Sequence, residues 1–181
     1  MATSKTGSFY LTETLTMTTS TDDGDRVVGT IDLGAYVNVA TGQAIAIESV
    51  DFVYQDILLA SNMANAVSAS STLSAQLTDL NPGNSFVRAD NQSLVASGAL
   101  CIDKANNVMS HASDLYPDNY GPAAVSEAFM VVNDTLYLIG GIDGGDITET
   151  SYLTARIRCR VVKLGSKDWM AIAIQSTASD N

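Results

Sequence analysis

The stretch Tyr152–Leu164, YLTARIRCRVVKL, restricts the fold more than any other part of the chain. Leu153, Ala155, Ile157, Cys159 and Val161 alternate with Thr154, Arg156, Arg158, Arg160 and Val162. A period of two belongs to a β-strand with one face in a core and one face polar. The polar face carries three arginines, with Lys163 just after, in a chain with only 9 basic residues. A basic row of this kind needs a partner.

The same period returns along the chain. In residues 8–18, Phe9, Leu11, Leu15 and Met17 share a face, and Tyr10 and four threonines take the other. The turn Thr21-Asp22-Asp23-Gly24-Asp25 follows, then a second strand over 26–36 with Val27, Ile31, Leu33 and Ala35 in phase. Residues 44–55, AIAIESVDFVYQ, predict a third strand. Ile45, Ile47 and Val53 fall on one side of it, and Ala46, Val50, Phe52 and Tyr54 on the other. Both faces are apolar, so this strand is expected to be central or covered twice. The period dissolves over 56–72, where a short helical turn is expected near 62–69. Leu73, Ala75 and Leu77 give a short strand, Asn81-Pro82-Gly83-Asn84 a turn, and Leu94–Ile102 another strand. Residues 104–124 read as a long irregular loop. Residues 127–132 and 135–140 flank Asn133-Asp134, which predicts a tight hairpin. After Gly165, KDWMAIAIQST reads as a terminal helix over 166–176 started by Ser166, although Met170, Ile172 and Ile174 also permit a last strand.

About eight short strands with frequent turns and no βαβ rhythm predict an all-β, antiparallel β-sandwich or barrel. The 181 residues make one domain, 1–181, with 1–7 as an N-terminal arm. Such a chain buries roughly 70% of its unfolded surface and needs no disulfide or metal to fold. Cys101 and Cys159 lie far apart without a CxxC spacing and read as free thiols of a reducing compartment, with a bridge between them as the lesser alternative. No run approaches the ~18 apolar residues of a membrane span. The alternating start with Glu13 is not expected to be a signal sequence.

The formal net charge is −11. Nucleic-acid binders are normally basic, because phosphate contact supplies most of their affinity. Neither MATSKTGS nor STASDN offers a basic arm, so nucleic-acid contact through a tail is not expected. Charged residues make up 16% of the chain, against a typical ~25%, with Ser and Thr filling the gap. Protein contacts tolerate such a surface, and so does an extracellular-type β-protein.

Catalytic chemistry has few residues to use. His111, the only histidine, lies in the 104–124 loop without a nucleophile elbow. One His and two distant Cys do not make a zinc site. Asp143, Asp146 and Glu149, or Asp22, Asp23 and Asp25, could offer oxygen ligands, but neither group has calcium-loop spacing, and Asp and Gly are ordinary turn residues. Gly140-Gly141 follows a strand without a phosphate-loop signature. No catalytic, metal or cofactor residues are assigned, and no enzyme activity is expected. The remaining feature is the row Arg156, Arg158, Arg160 and Lys163. It allows three readings: pairing within the chain with Asp32, Glu48 or Asp51, contact with an acidic neighbouring subunit, or contact with an anionic polymer.

The run Gly29–Gln55, GTIDLGAYVNVATGQAIAIESVDFVYQ, sets short alternating strands between turns within 181 residues. In this it resembles the single jelly-roll coat proteins of small tailless viruses. The acidic, Ala/Ser/Thr/Asp-rich composition is similar to that of marine microbial viruses. The resemblance implies a jelly-roll sandwich and a major capsid subunit that self-assembles into a shell. Its partners are then copies of itself and other virion proteins. Its location is the virion, after synthesis in the host cytoplasm. The missing basic arm departs from many such coats and puts direct genome packaging in question. Two other classes fit the same residues: a fibre, appendage or phage decoration subunit, and a lectin- or cytokine-like binding sandwich.

Overall fold

The computed structural model describes residues 2–57, 63–113 and 128–177. The strands, in chain order, are β1 Thr3–Ser4, β2 Phe9–Met17, β3 Arg26–Asp32, β4 Gln43–Asp56, β5 Ser71–Thr78, β6 Leu94–Asp103, β7 Val108–Ser113, β8 Phe129–Val131, β9 Thr135–Asp143 and β10 Ser151–Lys163. A 3-10 turn, Met63–Ala66, follows β4, and helix α1, Ser166–Thr177, follows β10.

Two antiparallel sheets form. In the first, β10 lies between β2 and β4, β8 pairs the far side of β4, and β1 continues along β10 beyond the end of β2. The second has the order β3-β9-β5-β6-β7. The chain changes sheet at β2–β3, β3–β4, β4–β5, β7–β8, β8–β9 and β9–β10, so each sheet interleaves early and late strands. This is the jelly-roll arrangement, two Greek keys wrapped into a sandwich.

The core is the space between the sheets. Leu15, Met17, Leu153, Ala155, Ile157 and Cys159 from the first sheet face Leu73, Leu77, Leu136, Leu138 and Ile142 from the second, in one buried cluster. A period of two places these residues on one face of each strand while Thr12, Thr14, Thr16 and Arg156 stay in water. The sheets approach closely at Gly140. A Cβ there would lie 2.6 Å from Leu153 Cδ2 and 3.2 Å from Leu15 Cδ1.

Strand β4 differs from its sequence reading. Arg158 of β10 pairs with Ser49, but Cys159 pairs with Ile47, so Glu48 is an extra residue opposite that step, a β-bulge. The bulge reverses the phase of the strand. Ile45 and Ile47 before it, and Val50, Phe52 and Tyr54 after it, all meet the same core. What alternation reads as two apolar faces is therefore one face interrupted by a bulge. Val53 turns outward opposite Thr154, and Ala44 and Ala46 turn outward at the other end of the strand. There the two alanines join Val132, Val162 and Leu164 under Trp169, Ile172 and Ala173 of α1. The terminal segment is thus the helix rather than a last strand, and a small second core holds it down.

Three further expectations change. Asn133-Asp134 does not close a hairpin, because β8 pairs with β4 in the first sheet and β9 with β3 and β5 in the second. The turn crosses between sheets, with Asn133 Nδ2 donating to the Asp79 carbonyl and the Leu33 N–H to the Asp134 carbonyl. Strand β7 occupies part of the expected 104–124 loop, joined to β6 by a turn in which Asn107 takes a positive φ of 56°. The remainder of that expected loop, 114–124, lies outside the described residues. The ten strands among the described residues exceed the eight expected by two short pieces at sheet margins, β1 and β7.

The Gly140 contact gives a test. Gly140→Ala should lower stability by about 1–3 kcal/mol through overpacking against Leu153 and Leu15, while Gly7→Ala, which meets nothing within 4 Å, should leave it nearly unchanged. Urea unfolding of the two variants beside the parent chain decides it.

Candidate functional site

The arginine row lies on the outer face of the first sheet. Even-numbered residues of β10 point away from the core, so Arg156, Arg158 and Arg160 share this face with Thr154 and Tyr152. Lys163 has the opposite parity and sits exposed at the end of the strand, beside Thr3 and Gln43. It does not belong to the row.

The arginines do not share one environment. Glu48, raised onto this face by the bulge, is buried at 1% exposure. Its Oε2 accepts from Arg158 Nε at 3.0 Å and its Oε1 from Arg160 Nη2 at 2.5 Å. Ser8 Oγ lies 3.0 Å from Oε1 and 2.9 Å from Oε2. The carboxylate thus replaces lost water with charge-assisted bonds, the condition under which a buried charge is tolerated. Arg156 lies outside this cluster. It is exposed, and its guanidinium carbon stands 5.3 Å from the centre of the Tyr10 ring, a cation–π stack. Asp51 is opposite Arg156 in register and is exposed. Asp32 lies in β3 of the other sheet, facing solvent, where its Oδ1 accepts from Gly34 N–H. Of the three proposed carboxylates, Glu48 is the one the fold brings to Arg158 and Arg160.

The two outer faces of the sandwich are covered differently. On the second sheet the 80–93 segment folds back, fixed by Gln76, whose amide donates to the Val87 carbonyl at 2.9 Å and accepts from Val87 N–H at 2.8 Å. Arg26 stacks over Phe86 at 4.4 Å and binds Asp143 at 2.8 Å. On the first sheet, α1 covers only the end with Ala44, Ala46 and Val162. The surface around Tyr10, Thr12, Thr14 and Arg156 is open to water, with Thr14 and Thr154 hydroxyls paired across the strands at 2.9 Å.

The acidic turns form one apex beside the β2 and β10 ends. Asp23 Oδ1 accepts from Gly144 N–H, Asp146 Oδ1 accepts from Asp23 N–H, and Ile147 N–H reaches the Thr21 carbonyl. Gly144 has a φ of 93°, a left-handed conformation that favours glycine. These carboxylates brace turns, and among the described residues no three His, Cys, Asp or Glu side chains are grouped to hold a metal. His111 is in β7, not a loop. Its ring is edge-on to Tyr54 at 6.0 Å between centroids. Cys101 is exposed and Cys159 buried, both as free thiols. Burial, with the Glu48 charge second, pushes the Cys159 thiol up to about 12, so it stays protonated.

Sequence reading missed Asp79. It follows a register irregularity at the end of β5 and is 2% exposed. Its N–H donates to the Ser93 carbonyl, closing the neck of the 80–93 segment. Its Oδ1 is buried without a hydrogen-bond partner among the described residues. Burial pushes its carboxyl up to about 7. No period or motif marks such a residue, because only the fold determines that it is buried.

No family model matches this sequence, and no curated protein sequence matches it. Among solved structures, a chain from Desmodium yellow mottle tymovirus is similar over 87% of this chain and 89% of its own, with 9% identity and a TM-score of 0.33. A chain from turnip yellow mosaic virus is similar over 88% of this chain and 95% of its own, with 10% identity and a TM-score of 0.30.

Two consequences can be measured. Glu48→Ala leaves Arg160 buried beside an empty carboxylate position and should cost about 3 kcal/mol in urea unfolding, the lower end for a broken buried pair because Arg158 is partly solvated. Asp79 gives a pH signature. Between 3.8 and about 7 the folded chain holds a proton that the unfolded chain has released, so this stabilising contribution is complete below that window and is lost as pH rises through about 7. Asp79→Asn should therefore raise the melting temperature at about pH 8.5 relative to the parent and flatten the fall between about pH 5 and 8.5. Parallel melting curves for parent and variant would reject the assignment.

Proposed function

We propose that this chain is a structural assembly subunit, a coat protein of a small tailless virus that associates with copies of itself into a shell. The observation that carries the reading is strand β7. It forms the margin of the second sheet and, among the described residues, pairs only with β6. Its side chains from Val108 to Ala112 are exposed, with Val108 at 55% and Met109 at 42%. It contains no Lys, Glu, Asp, Arg or Pro. Proteins that stay monomeric blunt such edges with charge, proline or a bulge, because an open edge templates another strand. The occupant we assign is β7 of a second copy. Two uncharged identical strands can pair antiparallel about a two-fold axis without placing like charges opposite each other.

The rest of the surface agrees with this reading. Met170 and Ile174 of α1 are exposed at 61% and 63%, on the helix side away from its core contact. A Ser/Thr-rich coat with 16% charged residues desolvates at lower cost than a charge-dense one. In this reading the chain resides in the virion after synthesis in the host cytoplasm, with other virion proteins as further neighbours. It has no enzymatic role. The net charge of −11 speaks against nucleic acid as its principal partner.

Sedimentation velocity and electron microscopy of the purified full chain test the proposal. Closed particles of megadalton mass are expected, with Val108→Lys/Ala112→Lys shifting the population to small species while the melting temperature holds. Filaments would move the chain to the fibre or appendage class. A chain that stays monomeric at millimolar concentration would overturn assembly altogether and favour a binding sandwich.

A further inference from the structure

We propose that the open arginine face of the first sheet receives the acidic apex of a second copy of this chain, an inference that rests on the self-association proposed above. The face carries net positive charge on an acidic molecule. Arg156, Arg158 and Arg160 against Glu48 and Asp51 leave it one net positive charge, while the whole chain carries −11. The apex is its opposite. Asp22, Asp23, Asp25, Asp143, Asp146 and Glu149 stand against Arg26 alone, a net of five negative charges on turns tied together by hydrogen bonds between 22–26 and 143–146.

One chain cannot bring its own two surfaces together. Ser151, paired with Met17, marks the apex end of β10. Arg156 lies five residues further along, about 17 Å at strand spacing. That exceeds both ion-pair distance and the screening length of about 8 Å at physiological salt. Each chain is therefore electrically polar along β10, and the charge left on its face is matched by another copy's apex.

The face is also built for contact. Tyr10 is exposed at 54%, and Arg156 is stacked on its ring. Stacking orders the guanidinium before binding and leaves its N–H fork free for a carboxylate, which reduces the entropy lost on association. Tyr and Arg are the residue types that most often dominate interface energy. The surrounding Thr12, Thr14 and Thr154 are short, so a turn can approach the strands closely. The apex supplies such turns, with exposed Asp22 and Glu149 not required by the turn hydrogen bonds described above.

Charge exchange tests this in the full chain. Arg156→Glu makes the face net negative. Thr19→Lys/Asp22→Lys/Asp23→Asn/Glu149→Lys makes the apex net positive while an amide oxygen at position 23 can still accept from Gly144 N–H. Each variant alone should associate at least ten-fold more weakly than the parent in sedimentation velocity, and the parent should weaken as sodium chloride is raised. An equimolar mixture of the two variants should recover association, because each negative surface then meets a positive one. Melting curves confirm that both variants fold. If the parent associates and Arg156→Glu associates equally well, this contact is wrong while the assembly reading stands. If the parent does not associate, the assembly reading itself fails. If a single-stranded oligonucleotide binds the parent and not Arg156→Glu, with association unchanged, the face belongs to nucleic acid and the proposal is overturned.

Discussion

The first sheet depends on one inserted residue, Glu48. Its neighbour β10 keeps a strict period of two for its whole length. Were β4 equally regular, Ile45 and Ile47 would face the core while Val50, Phe52 and Tyr54 faced water. The bulge removes that conflict by giving the second half of the strand the other phase. It also raises a carboxylate onto the outer face between Arg158 and Arg160. A buried ion cluster contributes little net stability compared with an apolar replacement, but it discriminates strongly between registers. A slip of two residues would keep every apolar side chain on its proper face and still strand Glu48 away from its arginines. The charges therefore specify the pairing that hydrophobic alternation alone leaves degenerate.

Much of the fold is legible in the sequence for a simple reason. Alternation reports a half-buried strand wherever one exists, so β2, β5, β6 and β10 follow from their residues alone. Alternation does not report which sheet a strand joins. Asn133-Asp134 has the composition of a hairpin turn, yet it carries the chain across the sandwich, because the partner of β8 is β4, more than eighty residues earlier in sequence. Strand β7 is hidden for another reason. Val-Met-Ser-His-Ala-Ser at a sheet margin has little to bury, so it carries no period to detect. The site was half visible. The arginines and Glu48 could be named from parity and sign, but the choice of Glu48 over Asp32 required knowing where a bulge falls. Asp79 was not visible, since its burial follows from the closure of a loop neck.

Coverage then separates structural charge from available charge. The second sheet's outer face is partly covered by its own 80–93 segment through Gln76 and the Arg26–Phe86 stack. On the first sheet the helix takes one end, and the Glu48 cluster occupies the middle. Arg158 and Arg160 are therefore largely committed to holding the strand in register. Arg156 sits past the helix and the bulge, against Tyr10, with open surface around it. The row that looks uniform in sequence divides into two structural cations and one that faces outward.

The two surfaces left open differ in symmetry, and that difference limits what they can build. An uncharged edge strand matches itself, so β7 supports a two-fold contact. The arginine face repels its own copy and matches only the apex, so it supports a head-to-face contact. A two-fold contact alone stops at a dimer, and a head-to-face contact alone gives a ring or an open filament. If both proposed contacts form, they would link rings into an extended surface, the geometry that the proposed shell requires. The net charge of −11 sets the balance between them. Salt relieves the general repulsion that opposes β7 pairing, and the same salt screens the arginine–apex attraction. The two proposed contacts would therefore respond to ionic strength in opposite directions, so loss of association on adding salt is the mark of the arginine–apex contact and not of β7 pairing.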